Sequence, residues 1–416
     1  MINVYTLKNG LRVVMENIPF VRSVSFGIWI KNGSRCESAS NNGISHFIEH
    51  MMFKGTKKRS AKDIADTMDS VGGQINAFTS KEYKCFYTRT LDTHFDVALD
   101  VLTDMFFNSN FDQNDIDRER NVILEEINMC EDTPDDLVHE ILQSKIWPHD
   151  PLGLTVTGTP ESIKNIGQTE IINYVKNNFC PQNTVVALAG NMDENDMLEK
   201  ITASFDQYKK NTNYSEPTRS AMYTPAFASR DKDIEQVHLC VGFPGIASPS
   251  DDIYTVAAIS TILGGGMSSR LFQKIREEHG LVYSVYSYHT SFIDTGLFAI
   301  YAALNPAQAP DVLQMIIDEV KGMFTNKIKD EQLTKTREQL KSNYLLSLES
   351  TSSRMNSIGR TLLLHDKTID ADELINKIDA INMGRFYELC EKIMQLNEIS
   401  ISIVGNKTDL TLPQIG

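Results

Sequence analysis

No two cysteines of this chain form a C-x-x-C pair. Cys36, Cys85, Cys130, Cys180, Cys240 and Cys390 are scattered along its 416 residues. That scatter argues against a disulfide framework or a cysteine zinc site and fits buried free thiols in a reducing compartment. Long apolar runs are missing too; none approaches the roughly 20 residues a membrane helix needs. The start, MINVYTLKNGLRVV, shows neither a charged-then-apolar signal nor an Arg/Ser-rich transit segment. The expectation is a soluble cytoplasmic protein with no membrane partner. Positive charge is in deficit: 40 Lys and Arg face 55 Asp and Glu, for a net charge of −15. Nucleic acid is therefore an unexpected partner. Hydrophobic residues, at 41%, suffice for large cores, and the length suggests two or more domains.

What is present centres on His46-Phe47-Ile48-Glu49-His50. On a helix, positions i and i+4 lie on one face, a turn apart. Both imidazoles can then reach one metal ion. Glu49 borders the same face and can touch a metal-bound water. The order H-x-x-E-H is the inverted form of the common zinc-protease motif. The competing reading is a polar helix face with two satisfied histidines.

Along the chain, Asn9-Gly10 marks a hairpin between 5–7 and 11–14. A strand over 23–31 follows, then the motif helix over 44–54. Ser60 with Asp63 resembles a capping box, and Gly72-Gly73 ends that helix. Strands near 74–80 and 83–90 precede a long amphipathic helix from Phe95 to Phe106. Another helix begins near Asp115 and carries Glu119, Val122, Ile123, Glu126 and Ile127, with Val122 and Ile123 on the stripe of the two glutamates. Residues 131–169 read as looser, with four prolines. A helix near 169–177 leads to a strand over 185–189. The polar stretch 205–232 reads as containing the linker. Beyond it the first half recurs: 97–127 resembles 312–346, and 185–191 resembles 401–406. The shared offset of about 215–217 residues argues for duplication. The second copy lacks the histidine pair, and Asn343 stands where the first has Glu126. The expected fold class is α+β, with two duplicated αβ domains, each a mainly antiparallel sheet with helices packed on it. The expected boundaries are 1–210 for the metal domain, 211–232 for the linker and 233–416 for the second domain.

A catalytic zinc takes three protein ligands and leaves one position open. His46 and His50 supply two. Glu119, Glu125, Glu126 and several Asp residues remain candidates for the third. Glu119 and Glu126 are roughly 10 Å apart along the helix, so one would bind and the other orient a ligand. Glu49 would act as general base.

The chain resembles the pitrilysin–insulinase family of zinc peptidases, most of all its half-length members grouped with the catalytic subunit of mitochondrial processing peptidase. The resemblance rests on HFIEHMMFKGT at 46–56, GGQINAFTSKEYKCFY at 72–87, RERNVILEE at 118–126, PLGLTVTGTPESI at 151–163 and GGGMSSRLFQKIREEHGLVYSV at 264–285. It covers essentially the whole chain. It implies Glu126 as the third ligand and Glu119, seven residues earlier, as the helper in the catalytic set. It implies that the strand holding Asn76, Ala77 and Phe78 is an edge to which a substrate peptide adds. It implies that Arg276 holds peptide carbonyls and that Tyr283 stabilises the oxyanion. Read without the family, Arg276 would be a surface ion-pair residue and Tyr283 a core residue. Gly264-Gly265-Gly266 lacks the spacing of a phosphate loop.

The function expected is a zinc-dependent endopeptidase on peptides or unfolded segments, with one zinc per chain. A non-catalytic peptide-binding or assembly subunit of the same fold is the alternative, and the complete set His46, Glu49, His50 and Glu126 argues against it. A zinc hydrolase on non-peptide amides is a third possibility. Full-length relatives carry four such domains, so a homodimer with sites shared between chains is expected.

Overall fold

The structure, a computed structural model, describes residues 2–214, 216, 220–325 and 328–406. Two compact units are present, and neither is continuous. One comprises Met1–Ile127, Leu154–Thr218 and Leu345–Asp370; the other comprises Asn128–Gly153, Arg219–Tyr344 and Ala371–Gly416.

The first unit is built on strands β1 (Ile2–Thr6), β2 (Arg12–Asn17), β3 (Ser23–Ile30), β4 (Gln74–Thr79), β5 (Lys84–Leu91) and β6 (Thr184–Gly190), in spatial order β1-β2-β6-β3-β5-β4. Only β2 and β6 run parallel. Gly10, at φ 88°, makes the left-handed turn of the first hairpin. One sheet face sends Phe26, Ile28 and Leu188 into a core with α1 (Ile44–Met52), α3 (Phe95–Asn108) and α4 (Gln113–Asp132). Helix α2 (Ala61–Ser70) lies between α1 and α3 in the chain, and helices 160–165, 168–178 and 194–204 add to the same core. The Ser60–Asp63 capping box opens α2, with Asp63 N–H donating to Ser60 Oγ at 3.1 Å and Ser60 N–H to Asp63 Oδ2 at 2.9 Å. The other face is covered by the helix Thr351–His365, whose Met355, Ile358 and Leu362 pack on Trp29, Val185 and Ala187. That approach is close. A Cβ at Gly27 would stand 2.6 Å from Met355 Sδ, and one at Gly359 2.5 Å from Trp29 Nε1. Cover on both faces explains why β3 and β6 are buried along almost their whole length.

The second unit holds β7 (Phe227–Asp231), β8 (Val237–Pro244), β9 (Val282–Ser291), β10 (Gly296–Leu304) and β11 (Ser400–Gly405), in order β7-β11-β8-β10-β9, with β7 and β11 parallel. Helices 253–264, 309–325 and 383–393 cover one face. Helix α5 (Pro134–Ile146) covers the other, through Leu137, Val138, Leu142 and Ile146. Without β1, the first sheet repeats this order strand for strand, with its parallel pair in the same place. The fold is thus α+β, with two similar domains on mainly antiparallel sheets.

Two local expectations are corrected. Residues 131–169 contain a 13-residue helix, α5, because Pro134 sits in its first turn, where no amide hydrogen is needed. The stretch taken as linker contains β7, an edge strand; four of its five residues, including Phe227, are exposed, so it shows no alternation. The division into compact units also differs from a simple cut between repeats, because each unit includes a helix from the other half of the chain.

Candidate metal centre

Helix α1 has an unusual start. Gly43 precedes it at φ 90° and offers no capping side chain. The cap comes from Glu37, which is buried. Its carboxylate accepts from Gly43 N–H at 2.7 Å, Ser45 N–H at 2.8 Å and Asn42 Nδ2 at 3.0 Å. A carboxylate at a helix N-terminus satisfies free amides and complements the helix dipole. The segment 151–163 supports the same end. Thr155 O accepts from Asn42 Nδ2 at 2.8 Å, and Ser162 Oγ donates to Asn42 O at 2.7 Å. Gly158, at φ 86°, lets the two backbones meet; a Cβ there would lie 2.6 Å from Asn42 O.

His46 and His50 project from α1 with their Nε2 atoms 3.3 Å apart. Glu126 Oε2, from α4, lies 3.6 Å from each of these nitrogens. Three atoms each about 2.0–2.1 Å from one tetrahedral ion would stand about 3.4 Å apart. The donor set therefore fits a zinc-sized ion. Among the described residues, His46, His50 and Glu126 form a group that could hold a metal. Burial, with help from His50 and Lys84, lowers the His46 pKa to about 4, so at neutral pH its imidazole is neutral, as a ligand must be. Its contact with Glu126 is then not an ion pair.

Glu119 is buried and takes His50 Nδ1 at 3.1 Å, which leaves Nε2 of that ring for a metal. Its other oxygen meets Lys54 Nζ at 2.6 Å. Glu125 is exposed and outside the group. Val122 is 43% exposed, so the expected apolar stripe narrows to Ile123. Glu49 lies mostly buried, its Oε2 without a hydrogen-bond partner. Burial raises its pKa, Thr79, His50 and Lys84 pull it down, and Glu126 raises it further.

Asn76, Ala77 and Phe78 lie in β4, an edge of the first sheet. Asn76 Oδ1 accepts from Ala77 N–H at 2.8 Å, and Phe78 packs edge-on against Trp29. In the second unit, Phe272–Glu278 winds as a π-helix, a form often found at functional sites. Arg276 is exposed there, its guanidinium 4.8 Å from the Phe272 ring and 5.8 Å from the Tyr283 ring. Glu278 pairs with Lys274 instead. Tyr283 is 75% exposed because a bulge skips it between Val282 and Ser284 in the ladder with β10. Neither the surface ion pair nor core packing describes these two side chains. Sequence reasoning missed Glu37 and Lys84; neither belongs to a local pattern that sets it apart.

Two histidines and a glutamate thus converge, beside Glu49, on a point that fits a zinc-sized ion, which defines a metal-binding αβ domain. Residues 12–160 match the insulinase (peptidase family M16) model, and residues 165–340 match the peptidase M16 inactive domain. The chain is 42% identical over 395 residues to a Bacillus subtilis protein named as an uncharacterized zinc protease, YmxG, covering 94% of this chain and 96% of that one. It is 38% identical over 414 residues to a Streptomyces coelicolor protein of the same description, covering 97% and 89%. A protease structure from Helicobacter pylori superposes with a TM-score of 0.90 at 22% identity, over 97% of this chain and 99% of that one. The protein belongs to the insulinase family, peptidase family M16.

Proposed function

We propose that this protein is a zinc endopeptidase of the inverted-motif type, acting on peptides or unfolded segments. The convergence of His46, His50 and Glu126 beside Glu49 carries this reading. One zinc per chain, held by those three residues, would supply Lewis acidity and an acidified water. Glu49 takes the proton of the attacking water and passes it to the leaving amine. Glu119 holds His50 in the tautomer that presents Nε2. Substrate backbone adds along Asn76, Ala77 and Phe78. Arg276 grips a peptide carbonyl, and Tyr283 donates its hydroxyl to the developing oxyanion. The compartment we propose is the cytoplasm; six scattered cysteines with no C-x-x-C pair fit a reducing milieu. Among the described residues no helix is long and apolar enough to cross a membrane.

The resemblance to the half-length processing-peptidase group favours a two-fold homodimer in which Arg276 and Tyr283 of one chain serve the metal group of the other. A mixed library of unstructured peptides, read by mass spectrometry with and without chelator, tests the activity. Glu49→Gln should keep the fold and abolish most cleavage. Chelator-insensitive cleavage, or a Glu49→Gln protein as active as wild type, defeats the proposal. Mixing Glu49→Gln with Tyr283→Phe chains tests the pairing, since one site of each heterodimer is intact. No recovery despite subunit exchange rules out action across chains. Zinc binding without hydrolysis would favour a non-catalytic peptide-binding or assembly subunit.

A further inference from the structure

Lys84 opens β5 and has no exposed surface, yet its Nζ has no hydrogen-bond partner. A buried ammonium without hydrogen bonds is strongly unfavourable unless nearby charges offset it. Its position shows which charges these are. Lys84 stands opposite Thr79 across the ladder between β4 and β5, and directly opposed residues share a sheet face. The next pair on that face, Ala77 and Phe86, packs with Phe47, Ile48 and Met51 of α1. The lysine therefore runs under the metal helix, where Nζ lies 5.1 Å from the Phe179 ring centroid and 5.7 Å from that of Tyr174.

Two carboxylates belong to this helix: the buried Glu37 at its N-terminus and the mostly buried Glu49 within it. Glu37 is already satisfied by Asn42, Gly43 and Ser45. Glu49 is not: its Oε2 is buried without a partner, as is Oγ1 of the neighbouring Thr79. Thr79, the ladder partner of Lys84, nonetheless favours the Glu49 carboxylate. Burial lowers the Lys84 pKa to about 8, and Glu37, Cys36 and Glu49 oppose that lowering.

We propose that Lys84 is a positioning residue for Glu49, its ammonium serving as the fixed counter-charge under α1 that holds this carboxylate, across Thr79, in its working orientation. With a neutral residue at position 84, Glu49 keeps the attraction of Thr79 and His50 but loses the buried ammonium beside them. The inference rests on the assignment of Glu49 as general base, but the coupling itself is measurable without activity.

The test uses Lys84→Met and Lys84→Gln in the full chain. Both should retain full zinc content and a KM within about two-fold of wild type, while kcat falls about ten-fold or more. In chelator-stripped protein, Lys84→Met and Glu49→Gln should be non-additive in melting temperature, the double variant melting higher than the summed single shifts predict. Wild-type kcat in a zinc-loaded variant at position 84, or additive melting shifts, overturns the proposal. A wild-type protein that cleaves no peptide sinks the peptidase reading instead, and the melting cycle then decides the Lys84–Glu49 coupling by itself.

Discussion

Glu119→Ala removes the acceptor behind a proposed ligand without touching the three donor atoms. Glu119 is 7% exposed. Its Oε2 holds His50 Nδ1 at 3.1 Å, and its Oε1 holds Lys54 Nζ at 2.6 Å. After truncation the His50 ring has no acceptor for Nδ1–H, so the tautomer and tilt that present Nε2 are no longer selected. Such outer partners are worth about 10–100-fold in metal affinity, or about 1.4–2.7 kcal/mol. The Lys54 side chain is 33% exposed and turns to water, so losing that pair adds little. Glu119→Gln keeps an oxygen that can accept from Nδ1–H, so its loss should fall at or below the lower end of the range. Zinc affinity, measured by competition with a chromophoric chelator, should weaken in the order wild type, Glu119→Gln, Glu119→Ala. A folded Glu119→Ala protein with zinc affinity within two-fold of wild type would refute the role of this carboxylate.

Three further outcomes are expected. His50→Ala should lose stoichiometric zinc by elemental analysis; full occupancy would exclude His50 as a ligand. Gly359→Ala should destabilise the protein although Ala gains about 1 kcal/mol over Gly in an open helix, because its Cβ would stand 2.5 Å from Trp29 Nε1 and overpacking costs about 1–3 kcal/mol; a raised melting temperature would contradict the tight fit. His139 lies beneath three tyrosines, with Tyr288 OH at 2.8 Å from Nδ1, and burial lowers its pKa to about 4 from 6.5 despite Asp135. The unfolded chain takes the proton first, so this stabilisation is complete above pH 6.5 and is lost as pH falls towards 4, by about 3 kcal/mol at most. His139→Phe should flatten the fall of melting temperature across that window, and an unchanged slope would show that other groups cause it.

Much of the architecture was legible because its signals are local. The hairpin at Asn9-Gly10 and the capping box at Ser60 depend on residues within a few positions, and both form as read. The duplication was visible because 97–127 and 185–191 recur as 312–346 and 401–406 at a nearly constant offset. Helix α5 was hidden by Pro134, a breaker inside a helix but a good opener of one. Strand β7 was hidden because an exposed edge strand needs no apolar alternation. At the site, the histidine pair followed from spacing alone. The third donor did not, because spacing on one helix cannot say which glutamate faces another helix.

By itself the sequence determined the elements and the motif: helical period places His46 and His50 on one face, and a repeated pattern requires two similar sheets. Tertiary structure alone decided what surrounds them. It brought Glu126 within 3.6 Å of both imidazoles and set Glu119 behind His50. It placed Glu37 at the start of α1 and turned Lys84, a charged residue just after a turn, fully inward beneath that helix. It also laid the helix Thr351–His365 on the sheet of the first unit, through Gly27 and Gly359. The reason is physical. Periodicity reports which face of an element is apolar. Which distant charge or helix meets that face depends on strand order and packing, and those involve residues far apart in the chain.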